Sequence, residues 1–144
     1  MGVTNANKVI STSQIDCSGS LRVTLALTAT PDIMSNPTDI VLVLDRSGSM
    51  TGAPLAAMKT GADTFIDIIA QATGGVGEIG AGSRIGIVSF AGTATADTLL
   101  ITSVDTLKDA VDALTAGGNT NHADAFTQAT ALFDPQSSNA KVIV

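Results

Sequence analysis

Aromatic side chains are scarce in this sequence, which contains four Phe and neither Trp nor Tyr. Proteins that bind single-stranded nucleic acid usually stack the bases on aromatic rings. Basic side chains, which would contact phosphates, are also few: seven Lys and Arg stand against 13 acidic residues, giving a net charge of −6. The composition therefore predicts a protein that does not bind nucleic acid.

Cysteine and long apolar runs are nearly absent as well. Cys17 is the only cysteine, so no intramolecular disulfide can form. Cytosolic proteins and many Gram-positive surface proteins share this feature, and the compartment stays open. No apolar run approaches the roughly 18 residues of a membrane helix, and residues 1–6 lack a signal-peptide core. We expect a packed domain that does not insert into a membrane, since 44% of its residues are hydrophobic and only 14% are charged.

The most informative stretch is an apolar run, residues 40–44, that ends in oxygen-bearing side chains. The run is rich in β-branched residues and predicts a strand buried on both faces of a parallel sheet. Asp45 ends it, and the hydroxyls of Ser47 and Ser49 follow. Open α/β sheets bind ligands where their strands end, and such oxygens suit Mg²⁺ or Mn²⁺ better than zinc. The alternative is that Ser49 merely caps the next helix.

This stretch resembles a known family. The residues from Asp45 to Ser49 match the Asp-x-Ser-x-Ser signature that opens the metal-ion-dependent adhesion site of von Willebrand factor type A (VWA) domains. Residues 117–122 are similar to the family's Gly-rich loop, in which Thr120 is the matching residue. The resemblance covers residues 39–144. It implies Mg²⁺, or Mn²⁺ with Ca²⁺ less favoured, held by Ser47, Ser49 and Thr120, with Asp45 contacting it directly or through water.

The resemblance also implies a function. The protein would be a non-enzymatic adhesion module that binds an exposed carboxylate of a partner protein, on the surface of a Gram-positive-type bacterium or secreted from it. The family places one more Asp just past the strand that begins at Lys141, and this sequence stops before it at Val144. We therefore expect an incomplete domain, without the last strands and helices of the fold.

Three other functions are compatible with the residues. The chain could be an intracellular, cytoplasmic assembly module, because similar domains accompany AAA-type ATPases and metal chelatases. It could be a structural domain whose site is empty. It could be a phosphatase of the kind that opens with Asp-x-Asp, although Ser47 replaces the second carboxylate, which general acid–base catalysis would need.

Several polar residues near the second motif have simpler interpretations. Thr120 or Asn121 could be the N-cap of the following helix. His122, the only histidine, could contact a partner, but a histidine at a helix start is more often exposed. Asp124 reads as an acid favoured in a first helical turn. Residues 75–80 spell G-x-G-x-x-G, but a helix precedes them and a strand follows, so we expect a loop rather than a dinucleotide site.

The periodicity predicts a doubly wound, Rossmann-like α/β sheet, mostly parallel with one antiparallel edge strand, after an N-terminal β-hairpin. We place a β-rich segment and linker at residues 1–37 and the VWA-like domain at 38–144. The hairpin is expected to pack on that domain, or to belong to a β-module completed elsewhere. The predicted strands are 8–16, 21–30, 40–44, 84–91, 96–102 and 141–144, and the predicted helices are about 53–72, 104–114 and 122–133.

Overall fold

The computed structural model describes residues 2–10, 23–30 and 36–144. Contacts divide the chain into two units, Met1–Ile33 and Met34–Val144. In the first unit, strand β1 (Gly2–Ile10) pairs antiparallel with strand β2 (Val23–Thr30). The predicted pairing is confirmed, but β1 begins earlier than predicted. Residues 11–22 and 31–35, which include parts of both predicted strands and of the linker, lie outside the described part of the chain.

The second unit is a four-stranded sheet with helices on both faces. Its strand order is β5-β4-β3-β6, in which β3 pairs parallel with β4 and β6, while β5 is antiparallel to β4. The predicted α/β fold with one antiparallel edge strand is therefore confirmed. The elements are β3 (Thr38–Asp45), α1 (Ala53–Ala72), β4 (Arg84–Phe90), β5 (Ala94–Ala96), α2 (Val104–Asp112), α3 (His122–Ala131) and β6 (Ala140–Ile143).

Strand β3 is central because its side chains are apolar on both faces. Ile40 and Leu42 belong to a core cluster with residues of α1, α2 and β4. Val41, on the opposite face, is fully buried in a second cluster that includes Ala129 of α3. Alternate residues of a strand point to opposite faces, so this one strand holds both helical layers and fixes the position of the loop that follows it.

Helix α1 has the predicted bounds, and local signals explain both ends. Pro54 lies in the first turn after the N-cap Gly52, where proline costs no hydrogen bond. At the other end the Thr73 hydroxyl donates to the Ile69 carbonyl at 2.7 Å, satisfying an acceptor that the helix end leaves free.

None of the helices in the described part of the chain is both long enough and apolar enough to span a membrane.

One strand prediction needs correction. Strand β5 covers only Ala94–Ala96 rather than 96–102. A tight turn after β4 lets it pair with that strand at once. The chain then leaves the sheet, and Ile101 forms a single isolated bridge with Ile85 of β4. Strand β6 lies at the edge of the four-stranded sheet. Val142 is accordingly 41% exposed.

A buried ion pair lies at the end of the sheet where β3 begins. The Asp39 carboxylate is fully buried and accepts hydrogen bonds from Arg84 Nε at 2.9 Å and Nη2 at 2.7 Å. Ser137 Oγ and Asn139 Nδ2 donate to it at 3.2 and 2.9 Å. Mainly because of the Arg84 hydrogen bonds, and despite burial, the pKa of Asp39 lies below its ordinary value. The network ties β3 and β4 to the segment that leads into β6.

Candidate metal-binding site

The first loop of the site leaves the opposite end of β3 and brings three oxygen-bearing side chains together. Asp45 Oδ1 accepts a hydrogen bond from the Ser47 backbone N–H at 2.7 Å. A single 3₁₀ turn, Gly48–Met50, follows, and it places the Ser49 hydroxyl 3.1 Å from the Ser47 hydroxyl. Ser47 is buried, whereas Ser49 is exposed. The loop therefore presents one inner and one outer hydroxyl beside a carboxylate.

The second loop, residues 117–121, docks onto the first through main-chain atoms. Gly48 N–H donates to Gly118 O at 2.9 Å, and Gly117 N–H donates to Arg46 O at 2.8 Å. A Cβ at position 48 would lie 3.3 Å from Gly118 O, and Gly118 has φ +82°. Glycine is suited to both positions because it has no Cβ and accepts positive φ. The glycines thus allow the two loops to approach closely.

Thr120 lies in this docked loop, and its side chain is exposed. The cap of α3 is Asn121, whose Oδ1 accepts from Asp124 N–H at 3.2 Å. The cap of α1 is Gly52, which makes no side-chain cap bond. The interpretation of Ser49 or Thr120 as a helix cap is therefore wrong.

Two further hydrogen bonds connect the surroundings of the two loops to strands β4 and β5. Arg46 Nε donates to Ser89 Oγ at 3.2 Å, and Ser89 is buried on β4. Ala94 N–H of β5 donates to Asp124 Oδ2 at 2.6 Å. Ser89 was missed, although a lone serine within the apolar run of β4 was a usable signal. Asp124 was expected in the first turn of α3 and is found there, but its partner in β5 could not be read from the sequence.

The sequence analysis also singled out His122 and the glycine-rich residues 75–80. His122 is exposed, as expected, and its ring centroid lies 5.2 Å from that of Phe90, with the planes tilted by 53°. The glycine-rich residues 75–80 lie in the connection between α1 and β4, as predicted. Their position between a helix and a strand does not suit a dinucleotide.

The spacing of the hydroxyls can be compared with the demands of a cation. Mg²⁺ binds six oxygens at about 2.0–2.1 Å in octahedral geometry, so adjacent ligands stand about 2.9 Å apart. The Ser47 and Ser49 hydroxyls are 3.1 Å apart. This separation is close to that of adjacent ligands of a small divalent cation, and it is also that of a hydrogen bond between the two hydroxyls.

Comparisons with known proteins agree with this architecture. A family model described as the von Willebrand factor type A domain matches residues 40–144. No curated protein matches the chain. Among solved structures, the vWF domain of the type V pili tip protein Mfa5 from Porphyromonas gingivalis is similar, with a TM-score of 0.68 and 23% identity over 75% of this chain.

Two further structures share the fold. A von Willebrand factor type A protein from Catenulispora acidiphila has a TM-score of 0.63 and 24% identity over 84% of this chain. Proximal thread matrix protein 1 from the mussel byssus, described with a zinc-occupied MIDAS motif, has a TM-score of 0.58 and 24% identity over 76% of it. The chain spans 36%, 27% and 28% of the length of the three structures, in the order given.

Proposed function

The chain belongs to the von Willebrand factor type A domain family, and from this premise we propose that it is a metal-dependent, non-enzymatic protein-binding module. Ser47, Ser49 and Thr120 would hold Mg²⁺ or Mn²⁺, and Asp45 would contact it directly or through water. The partner would be a protein that offers an exposed carboxylate. The chain itself would supply only part of the ligand sphere.

One observation carries this proposal. The Ser47 and Ser49 hydroxyls lie 3.1 Å apart at the end of a buried parallel strand. Neither residue caps α1 or α3, whose N-caps are Gly52 and Asn121, and Ser47 precedes the 3₁₀ turn without a side-chain cap bond. In the alternative of a purely structural motif, these hydroxyls would stabilise helix ends. Their placement favours ligand binding over capping.

The choice of ligands explains why a partner carboxylate would bind. Hydroxyls are neutral, so a divalent cation held mainly by them keeps most of its charge and attracts an external anion. Asp45 Oδ1 already accepts the Ser47 N–H, which orients the carboxylate at the edge of the site. These residues would thus bind the cation while leaving it electrophilic.

The related structures support an adhesion role at a cell surface. The pili tip protein has a domain of this fold, and the mussel byssus protein is a matrix protein by its description. We propose a surface or secreted location, with an intracellular assembly module as the alternative. Since the mussel protein is described with zinc in its MIDAS motif, Zn²⁺ is the competing ion to compare with Mg²⁺.

A Mn²⁺ titration followed by electron spin resonance tests the proposal. We expect the chain to bind Mn²⁺, Mg²⁺ to displace it, and Asp45→Ala and Ser49→Ala to weaken binding at least tenfold, as loss of a ligand or its partner does. Thr64→Ala is the matched control, because Thr64 is exposed on α1 and bonds only to its own helix at Thr60 O. Absence of Mn²⁺ binding, or equal affinity in all four proteins, would overturn the proposal.

A further inference from the structure

The loop that carries Thr120 is fixed at two places. On one side, Gly117 N–H and Gly118 O bond to the main chain of the first loop. On the other side, Asn121 N–H donates to Ala91 O at 2.7 Å, next to the turn that joins β4 to β5. Thr120 stands between these two attachments, and so its position depends on both.

Asp124 completes the second attachment. Its Oδ2 accepts Ala94 N–H at 2.6 Å, which ties the first turn of α3 to the start of β5. Its own N–H donates to Asn121 Oδ1 at 3.2 Å, which ties the same turn to the end of the loop. A single residue therefore links the strand, the helix and the loop within four positions of Thr120.

We propose that Asp124 is a positioning residue for the candidate metal site, which it serves by fixing the loop of residues 117–121 against the β4–β5 turn. This inference rests on the proposed function for its link to the metal, but the positioning itself does not require a bound ion. Residues behind a ligand commonly orient it, and losing them weakens metal binding about 10- to 100-fold.

The simpler alternative is that Asp124 only stabilises the N-terminus of α3 by its charge. The two roles differ in what an amide would do. Asn at position 124 keeps an oxygen that can accept the Ala94 N–H but removes the charge, whereas Ala removes both. A positioning role therefore predicts that Asp124→Asn resembles the wild type, and a charge role predicts that it resembles Asp124→Ala.

The experiment combines amide hydrogen exchange without metal and Mn²⁺ titration by electron spin resonance. In Asp124→Ala we expect faster exchange at Gly48, Gly117 and Asn121, whose N–H groups make the bonds that fix the loop of residues 117–121, and about tenfold weaker Mn²⁺ binding. In Asp124→Asn both should stay within about twofold of the wild type, given that an acceptor remains. The matched control is Asp105→Ala, which removes the first-turn acid of α2 and should change neither.

The possible results test the positioning role of Asp124 separately from the proposed metal binding. Unchanged exchange at these amides in folded Asp124→Ala, or equal losses in the Asn and Ala variants, would overturn the positioning role. If Asp124→Ala does not fold, the Asn variant still separates an acceptor from a charge. If the wild type binds no Mn²⁺, the proposed function fails, while the exchange rates alone decide whether Asp124 positions the loop.

Discussion

Strand β3 has an aspartate at each end of its buried run, and the two have opposite surroundings. Asp39 is fully buried and accepts four hydrogen bonds from Arg84, Ser137 and Asn139. Asp45 is only partly buried and accepts the N–H of Ser47 from its own loop. The same residue type on one strand thus stabilises the fold at one end and remains available for a ligand at the other.

With the proposed function, this difference would separate stability from binding along one strand. A buried carboxylate must have its full set of partners, because an unpaired charge in the interior is costly. A carboxylate meant for a ligand must keep lone pairs free, and so it must lie where water or an ion can replace the missing partners. Asp39, at the start of β3, has a full set of partners. Asp45, at the end of β3, lies where water or an ion can reach it.

The largest effect is expected from Asp39→Ala. It leaves Arg84 without its carboxylate and removes the acceptor for Ser137 and Asn139. We expect a loss of about 3 kcal/mol of unfolding free energy, at the low end for breaking a buried pair because the Arg84 side chain is 35% exposed. Urea denaturation measures it. A loss below about 1 kcal/mol would mean that the pair contributes no more than an ordinary hydrogen bond.

An effect of intermediate size is expected from the pH dependence of the Asp39 contribution to stability. Its folded-state pKa is lowered from 3.8, chiefly by the Arg84 hydrogen bonds. Its stabilising contribution should therefore be complete above that value and be lost as pH falls through the lower folded-state pKa. The measurement is the difference in unfolding free energy between the wild type and Asp39→Asn from pH 6 to pH 2.5.

That difference should shrink towards acid pH. Asp63 has the opposite trend, because burial raises its pKa above 3.8, but its contribution is common to both proteins and cancels. A difference that stays constant over the whole range would show that Asp39 has the same pKa in the folded and unfolded chain.

The smallest effect is expected from Asp45→Ala without metal. Only the bond from Ser47 N–H is lost, so the unfolding free energy should fall by no more than about 1 kcal/mol. Asp45→Asn, which keeps an acceptor, should be nearly neutral. Urea denaturation in the presence of EDTA makes the measurement, and a loss as large as that of Asp39→Ala would remove the contrast between the two ends of the strand.

The features of the fold that were predicted correctly are those that depend on local sequence patterns. The bounds of α1 follow from Pro54 and Thr73 with the apolar periodicity between them, and the buried run of β3 follows from its β-branched residues. The extent of β5 and the exposure of β6 depend on neighbouring strands. Periodicity cannot report these, because the same apolar run fits a central strand or an edge strand.

The same distinction applies to the polar residues. Asp45, Ser47 and Ser49 form a contiguous motif, whereas Thr120 was identified only through the family resemblance. The partners of Asp39 lie 98 and 100 residues away at Ser137 and Asn139. Tertiary hydrogen bonds of this kind leave no spacing pattern, and so neither the buried network nor the bond from Ala94 to Asp124 was predicted.

The loop of residues 117–121 is held to its neighbours by main-chain atoms: Gly117 and Gly118 bond to Arg46 and Gly48 of the first loop, and Asn121 bonds to Ala91 beside the β4–β5 turn. Side chains at positions 45, 49 and 120 can therefore be exchanged without removing any of these bonds. Carboxylates or imidazoles installed at these three positions would therefore alter the ion preference of the proposed site while leaving the contacts between the loops in place. The glycines at 48 and 118 would have to stay, because they set the distance at which the two loops meet.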